Sequence, residues 1–567
     1  MTLRRHLDRR PARGRTSIIA LIVGAFLVTA CTPASSTAPA GSAGATTGSG
    51  PTTAPPDTAV LTVATDNLGS QIYAPHLSGQ ENRLIVMMIG DTLTQLNKQT
   101  GAIDPALAES WTPSADLKTW TFKLRAGVPF QDGYGTLTAA DVRFSWEQWL
   151  DPETAQGAIG DLVLQAIDGN IANFEIVSDL EFKLHTENPV ANLPAVLTDF
   201  AQSITIQSKK YFDEDKDKAN VHPLGTGPYK FVSNAPGVEV VLEAVDSHPF
   251  RDAPTFKKLV IKEIADQAAR LAQVQAGSLD LALGDSGLVG EAEAAGVRIQ
   301  KIDDVENCSI TLGGYYLGTP ALDVDSPWIQ ANEPAKGKAI RDAMSLAIDR
   351  ATILDRIVHG YGSLTYGPLM NFPRIGLLND PSWTPPPYDV ALAKQKLAEG
   401  GYPDGFPITL RLWEQVASGE AVADMWKEIG IDVTVELTEQ ALMRPLFQAS
   451  NKPDGNSATD GLAWIFCQGA YPTPELNLVN AFMKTGRNMQ MFNPAIDVAE
   501  EAMRTEPDEA ARYTIVRQLV TTLRNDGAPI NLYTADYPWF LGPRIGSWDP
   551  YPRLNALAAM ETVTAAP

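Results

Sequence analysis

The sequence predicts an α/β protein of two or three domains, and three observations carry that reading. Strand-like and helix-like patterns alternate along the chain instead of segregating into blocks. A βαβ pattern is clearest between Ile408 and Leu437. The stretch from Thr58 to Pro567, about 510 residues, exceeds what a single hydrophobic core serves.

The N-terminal segment reads as an address rather than as part of the fold. Arg4, Arg5, Arg9, Arg10, Arg13 and Arg15 form a basic head, and Ile18 to Ala30 is an apolar run of 13 residues. A spanning helix needs roughly 18 or more apolar residues, so the run fits the centre of a secretory signal. Val28-Thr29-Ala30-Cys31 resembles a bacterial lipobox, in which cleavage falls before the cysteine and its thiol is lipidated. Twin arginines occur twice without a twin-arginine context, so Sec and Tat export both stay open. Thr32 to Asp57 is nearly all Ser, Thr, Ala, Gly and Pro. It lacks the apolar surface to offset its ordering entropy and is expected to be a disordered stalk, spanning about 28 Å as a coil and about 80 Å drawn out.

The body then alternates. Ala59 to Thr65 reads as a strand ending at Asp66-Asn67, and Trp120 to Arg125 alternates apolar and polar residues as a second. Thr138 and Asp141 form a capping box opening a helix with Val142, Trp146, Trp149 and Leu150 on one face. Lys338 to Val358 is read as one helix, with Ile340, Met344, Ala347, Leu354 and Val358 inward and Gly360 just past its end. Ile408-Leu410-Leu412 is a strand. Val422, Met425, Trp426 and Ile429 make a helix stopped by Gly430, and Ile431-Val433-Val435-Leu437 is the next strand. That unit implies parallel strands and a right-handed crossover.

Charge narrows the function. Removing the signal takes six arginines and one aspartate with it and deepens the formal charge from −22 to −27. So acidic a body, without basic clusters, is unsuited to nucleic acid or anionic lipid surfaces. Cys308 and Cys467 remain after lipidation; an oxidising compartment permits a bond between them, which sequence alone leaves open.

A resemblance runs through these segments. Pro105 to Trp111, Trp120 to Arg125, Gly127-Val128-Pro129-Phe130-Gln131-Asp132-Gly133 and Leu137 to Val142 are similar to the signature block of the family 5 solute-binding proteins. Leu224-Gly225-Thr226-Gly227-Pro228-Tyr229, Ala347-Ile348-Asp349-Arg350, Ala393 to Tyr402, and Ala511 through Tyr533 continue the likeness in order. The resemblance implies a two-lobed periplasmic-binding-protein-like fold, type II and cluster C-like, with an extra subdomain in the N-terminal lobe. Residues 58–97, 222–305 and 526–567 would form lobe I, 98–221 the inserted subdomain and 306–525 lobe II. It further implies the substrate-binding lipoprotein of an ABC importer, which is not an enzyme and needs no cofactor. Its partners would be a small or peptide-like solute, the permease transmembrane subunits, and the membrane through a lipid anchor at Cys31. The body would be a monomer. A reading from another class is an envelope-biosynthesis regulator or scaffold that keeps the fold without transport.

Most of the resembling residues have structural work to do. Gly127, Gly133 and Gly227 permit tight turns, and Trp111 and Trp120 read as core. The site is sought instead beyond the carboxyl ends of strands and between domains. Asp66, Asn67 and Gln71 follow the first strand, Trp413 and Glu414 end another, and Trp464, Phe466, Cys467, Gln468 and Tyr471 follow the strand near Leu462-Ala463. In the family the last segment supplies an acidic residue that pairs with a bound peptide's amine. Aligned on Pro474, that position holds Ala470, which points away from an ordinary short peptide held by its free amine and toward a glycan, a metal complex or a modified peptide. Glu414, Glu475 and Asp66 remain as other sources of the charge. Micromolar capture corresponds to about −8 kcal/mol, within reach of buried aromatics and a few hydrogen bonds.

Two rival chemistries are weak. Gly284-Asp285-Ser286-Gly287 matches the surroundings of a trypsin-type nucleophile, but no histidine before it sits in a recognisable motif, and Ser286 reads as a loop residue after the short strand Leu279 to Ala282. The six His and three Cys are scattered without the close spacing of metal sites, so no metal ligands are expected.

Overall fold

The computed structural model describes residues 58–69, 73, 80–150, 167–199, 204–365, 367–368, 384–413, 415–439, 442–443, 459–469, 471, 473–482, 491–551 and 557–567. Cys31, Gln71, Glu414 and Ala470 lie outside them. No helix among the described residues is long and apolar enough to cross a membrane.

The largest sheet has eleven strands. They are β1 (Val60–Thr65), β2 (Tyr229–Ala235), β3 (Glu239–Ala244), β4 (Lys258–Glu263), β5 (Leu281–Leu283), β6 (Arg298–Leu312), β7 (Gly362–Leu364), β8 (Pro407–Leu412), β9 (Asp432–Leu437), β10 (Leu462–Gly469) and β11 (Ile530–Leu541). Their order is β9-β8-β10-β6-β11-β5-β1-β4-β3-β2, with β7 beside β11. The expected βαβ unit is present. β8 and β9 pair in parallel from Pro407 with Asp432 to Leu412 with Leu437, and the helix Val416–Glu428 crosses between them with Val422 and Trp426 buried. Gly430 ends the crossover at φ +103°, a conformation in which other residues are strained.

Two large, separate cores share this one sheet, beside a smaller cluster around Ala64, Ala282 and Phe540. Leu61, Val63, Leu259, Leu281, Ile302, Trp539 and Leu541 belong to one. Cys308, Ile310, Leu312, Leu410, Trp426, Ile530 and Leu532 belong to the other. β6 and β11 therefore each begin in one core and end in the other. Tyr537 packs against both.

A third core sits around a four-stranded antiparallel sheet of Ala108–Pro113, Thr119–Leu124, Glu181–His185 and Phe174–Ser178. The alternation read from sequence places Trp120, Phe122 and Leu124 inward, and the rings of Phe122, Phe182 and Phe174 stack at 5.2 and 4.7 Å. Trp111 is half-buried and packs on the same core. Asp141 reaches back to the Thr138 N–H at 3.0 Å as the capping box requires, and its other oxygen accepts the Lys209 N–H at 2.9 Å.

The signature residues turn out to join this third core to the first. Gly225 and Gly227 pass against the end of the helix Gln80–Ile89, where a Cβ would meet the Ile89 carbonyl oxygen at 2.6 and 2.8 Å. Gly227 is thus fixed by close approach, not by the turn expected of it, whereas Gly127 and Gly133 do adopt φ of +72° and +77°. Gln131 locks the joint. Its buried amide nitrogen donates toward the carbonyls of Ile89, Gly227 and Tyr229 at 3.1, 3.0 and 2.8 Å, and its N–H reaches Gly225 O at 3.0 Å. Beside it Asp91 is buried against His248 at 2.9 Å and Arg251 at 3.1 Å. Burial alone would raise the Asp91 carboxyl; the His248 hydrogen bond, the Arg251 charge and Thr226 outweigh it and hold it below the usual carboxylate value.

The long helix expected over Lys338 to Val358 is instead two, Pro334–Leu346 and Arg350–Arg356. Asp349 breaks it by accepting the Thr352 N–H at 3.0 Å and capping the second helix. Arg350 donates to carbonyls at the break, Ser345 O at 2.9 Å and Ile348 O at 3.3 Å, and ties them to Asn531 O at 2.7 Å on β11. Its guanidinium has only neutral acceptors, and burial lowers it to about 10.

Gln131→Leu is expected to cost about 2–3 kcal/mol, because buried carbonyls lose their donor. Urea unfolding with an unchanged m-value measures it; a midpoint within error of wild type would contradict the latch.

Candidate functional site

Strand directions locate the site. β5 is parallel to β1 and antiparallel to β11, which is antiparallel to β6, so β6 runs the same way as β1 and β5. β10 is antiparallel to β6, and β8 is parallel to β10. The carboxyl ends of the two parallel sets consequently point at each other along β6. Leu283 at the end of β5 pairs with Trp539, which pairs with Gln300; Gly469 at the end of β10 pairs with Glu306. Ligand crevices in α/β sheets form at such carboxyl ends.

Between those levels the β6 ladder breaks. Ile302 pairs with Tyr537 and Glu306 with Ala535, leaving Asp303, Asp304 and Val305 opposite Asp536 alone. Asp304 adopts φ +51° in this bulge. Asp536 pins it, accepting the Asp304 N–H at 2.8 Å and the Lys301 ammonium at 2.7 Å. Thr534 donates to Asp304 Oδ1 at 2.9 Å.

Glu306 stands at the edge of the bulge. It is half-buried, and Tyr537 donates its hydroxyl to Glu306 Oε2 at 3.0 Å. Its carboxylate lies within 4.8 Å of the sulfurs of Cys308 and Cys467. Those cysteines face each other across β6 and β10 and are joined in a disulfide, so neither thiolate is available to a metal. Burial pushes the Glu306 carboxyl up to about 7, against the opposing pull of the Tyr537 hydrogen bond. Among the described residues it has no cationic partner, since Lys301 is taken by Asp303 and Asp536.

The residues singled out from sequence are distributed around this point. Asp66 and Asn67 are exposed just past β1, where Asn67 accepts the Gly69 N–H at 2.7 Å. Trp413 and Phe466 are half-buried with ring centroids 6.5 Å apart. Trp464 is fully buried beside Met443 and offers no open face. Cys467 is in the disulfide. Gln468 is buried and donates to Asn477 O at 2.8 Å. The Tyr471 ring packs, with Leu476, against the third core. Glu475 is buried and bound by Arg512 at 3.0 Å, so its charge is matched within the fold. Asp285 caps a short turn by accepting the Gly287 N–H at 2.9 Å, which accounts for the serine-protease-like tetrapeptide. Glu306 escaped sequence reasoning because its place depends on register with β10 and β11. Its alternation with Cys308 on one strand was the only available signal.

Two cores joined by crossing strands, with strand ends converging on the crossing, define a two-lobed solute-binding protein. The model of the bacterial extracellular solute-binding proteins, family 5 Middle, matches residues 102–488, and the chain belongs to that family. Its members are extracytoplasmic binding proteins of ABC transporters, not enzymes. The chain is 28% identical to heme-binding protein A of Haemophilus influenzae over 55% of its length and 56% of that protein's. It is 27% identical to a glutathione-binding protein of Salmonella paratyphi A over 54% of each. It thus spans about half the length of these curated relatives. The solved periplasmic binding protein DppA of Helicobacter pylori, in complex with peptide STSA, has the same fold. It superposes with a TM-score of 0.70 at 21% identity, over 89% of this chain and 98% of that one.

Because the Glu306 carboxyl sits above its ordinary value of 4.5, its contribution to stability is present at low pH and lost as pH rises through about 7. Glu306→Gln should therefore melt higher than wild type near pH ~8, by up to about 3 kcal/mol of stability, and match it only near pH ~4. A difference that does not change with pH would contradict this placement.

Proposed function

We propose that this protein is the lipid-anchored capture component of an ABC importer, holding a small solute between its lobes and delivering it to the permease transmembrane subunits. The observation that supports this most is the convergence of both sets of strand ends on the bulge in β6. A crevice there would be flanked by residues of both lobes and could close about only two crossing strands. The lobes we assign are 58–97, 222–305 and 526–567 for lobe I, 306–525 for lobe II, and 98–221 for the inserted subdomain. Family membership supports transport over a scaffold or regulator role.

The solute is peptide-like, a modified peptide, a glycan or a metal complex. Ala470 gives no carboxylate at the position where the family pairs a peptide amine, and Glu475 is committed to Arg512. The aromatic pair Trp413, just past the end of β8, and Phe466, within β10, supplies apolar surface. Mass spectrometry of the gently purified body tests capture. A small molecule released on denaturation is expected; repeated preparations that release nothing and bind nothing from a broad solute panel would favour the regulator.

Anchoring at Cys31 follows from the lipobox-like end of the signal, and the 26 residues from Thr32 to Asp57 would tether the body as a monomer. Cys31→Ala should move the protein out of the membrane fraction or stall its processing. Membrane retention equal to wild type would contradict the anchor.

A further inference from the structure

We infer that Glu306 is the seat for a positively charged nitrogen of the captured solute, an ammonium or guanidinium presented between the lobes beside Gly469. The inference rests on the capture reading and adds the chemical class of the ligand.

Among the described residues, cations near the crossing have other partners. Lys301 holds Asp303 and Asp536 at 2.6 and 2.7 Å, Arg512 holds Glu475 at 3.0 Å, and Arg270 donates to the carbonyls of Leu283, Ile264 and Ala265. Among the described residues none of them pairs with Glu306. Among the described residues its one hydrogen-bond donor is the Tyr537 hydroxyl from β11, and the disulfide sulfurs from β6 and β10 lie within 4.8 Å. Asp303, Asp304 and Asp536 lie at the adjoining bulge.

A second unmatched acceptor meets the same residue. Asn477 is fully buried, and its Nδ2 donates to Gly469 O at 3.3 Å. Its Oδ1 has no hydrogen-bond partner among the described residues. Gly469 is also the register partner of Glu306. A buried amide oxygen left unmatched is costly, and the half-buried Glu306 carboxylate has room for a donor beyond Tyr537, so a donor that carries positive charge fits this corner. A solute presenting its own carboxylate here would meet repulsion without compensation. Ala470 follows Gly469 directly, so Glu306 would supply from β6 the charge missing at that position.

Calorimetry on the mature protein tests this with a lysine-rich tripeptide pool, the same pool with every amine acetylated, and haem. Wild type should bind the free-amine pool roughly tenfold or more tightly than the acetylated pool, the scale of one charge-assisted contact. That preference should grow as pH rises through about 7 and Glu306 ionises. Glu306→Gln should abolish both the preference and its pH dependence, and Glu306→Asp should restore part of each. Equal binding of the two pools, or of haem alone, would keep capture and overturn the seat. So would a preference that survives in Glu306→Gln. A protein that binds none of the three would overturn the seat and count against capture as well.

Discussion

The structure depends on a single pair of hydrogen-bonded strands that serves two hydrophobic cores. β6 and β11 are long enough to bury one end in each, and almost every residue of β11 is covered on both faces. Continuous pairing along their whole length would make the two cores one rigid slab. The ladder is instead interrupted where Asp303, Asp304 and Val305 stand opposite Asp536, and the Asp536 carboxylate replaces the missing backbone pairing. A bulge of this kind bends a strand and re-aims the side chains beside it. Here the residue beside it is Glu306.

Charge satisfaction follows the same division. Within each half, buried ionic groups are matched. Arg512 has Glu475, Arg341 has Asp526, and Asp91 has His248 and Arg251. Even the buried cations without a bonded carboxylate, Arg270 and Arg350, have their donors on backbone carbonyls. At the crossing Glu306 has one hydrogen-bond donor and Asn477 Oδ1 has none among the described residues, and Asn220 Oδ1 and Asn531 Oδ1 are further buried amide oxygens without a partner. Folded proteins keep such local inconsistencies where function needs them.

Local patterning made much of the fold legible. Alternation gave β1, β8 and β9, and the capping box at Thr138 and the stop at Gly430 lie where composition placed them. What stayed hidden was set by partners distant in sequence. The break at Asp349 interrupts a continuous helical periodicity and is held by Asn531, and Gln131 acquires its role only against Ile89 and Tyr229. The same holds for the site. Strand ends were legible as positions, which is how Trp413 and Phe466 were found, but periodicity could not say that Trp464 would be sealed under Met443. Nor could it pair Glu306 with Gly469, because that contact is a matter of register between strands over 150 residues apart.

We propose that two lobes close on a solute about the β6–β11 crossing. Small-angle scattering of the body from Thr58 onward, with tryptophan fluorescence recorded alongside, tests it most directly. A smaller radius of gyration and a spectral shift on adding the solute recovered by mass spectrometry are the expected result. An unchanged radius with saturating solute would contradict the account.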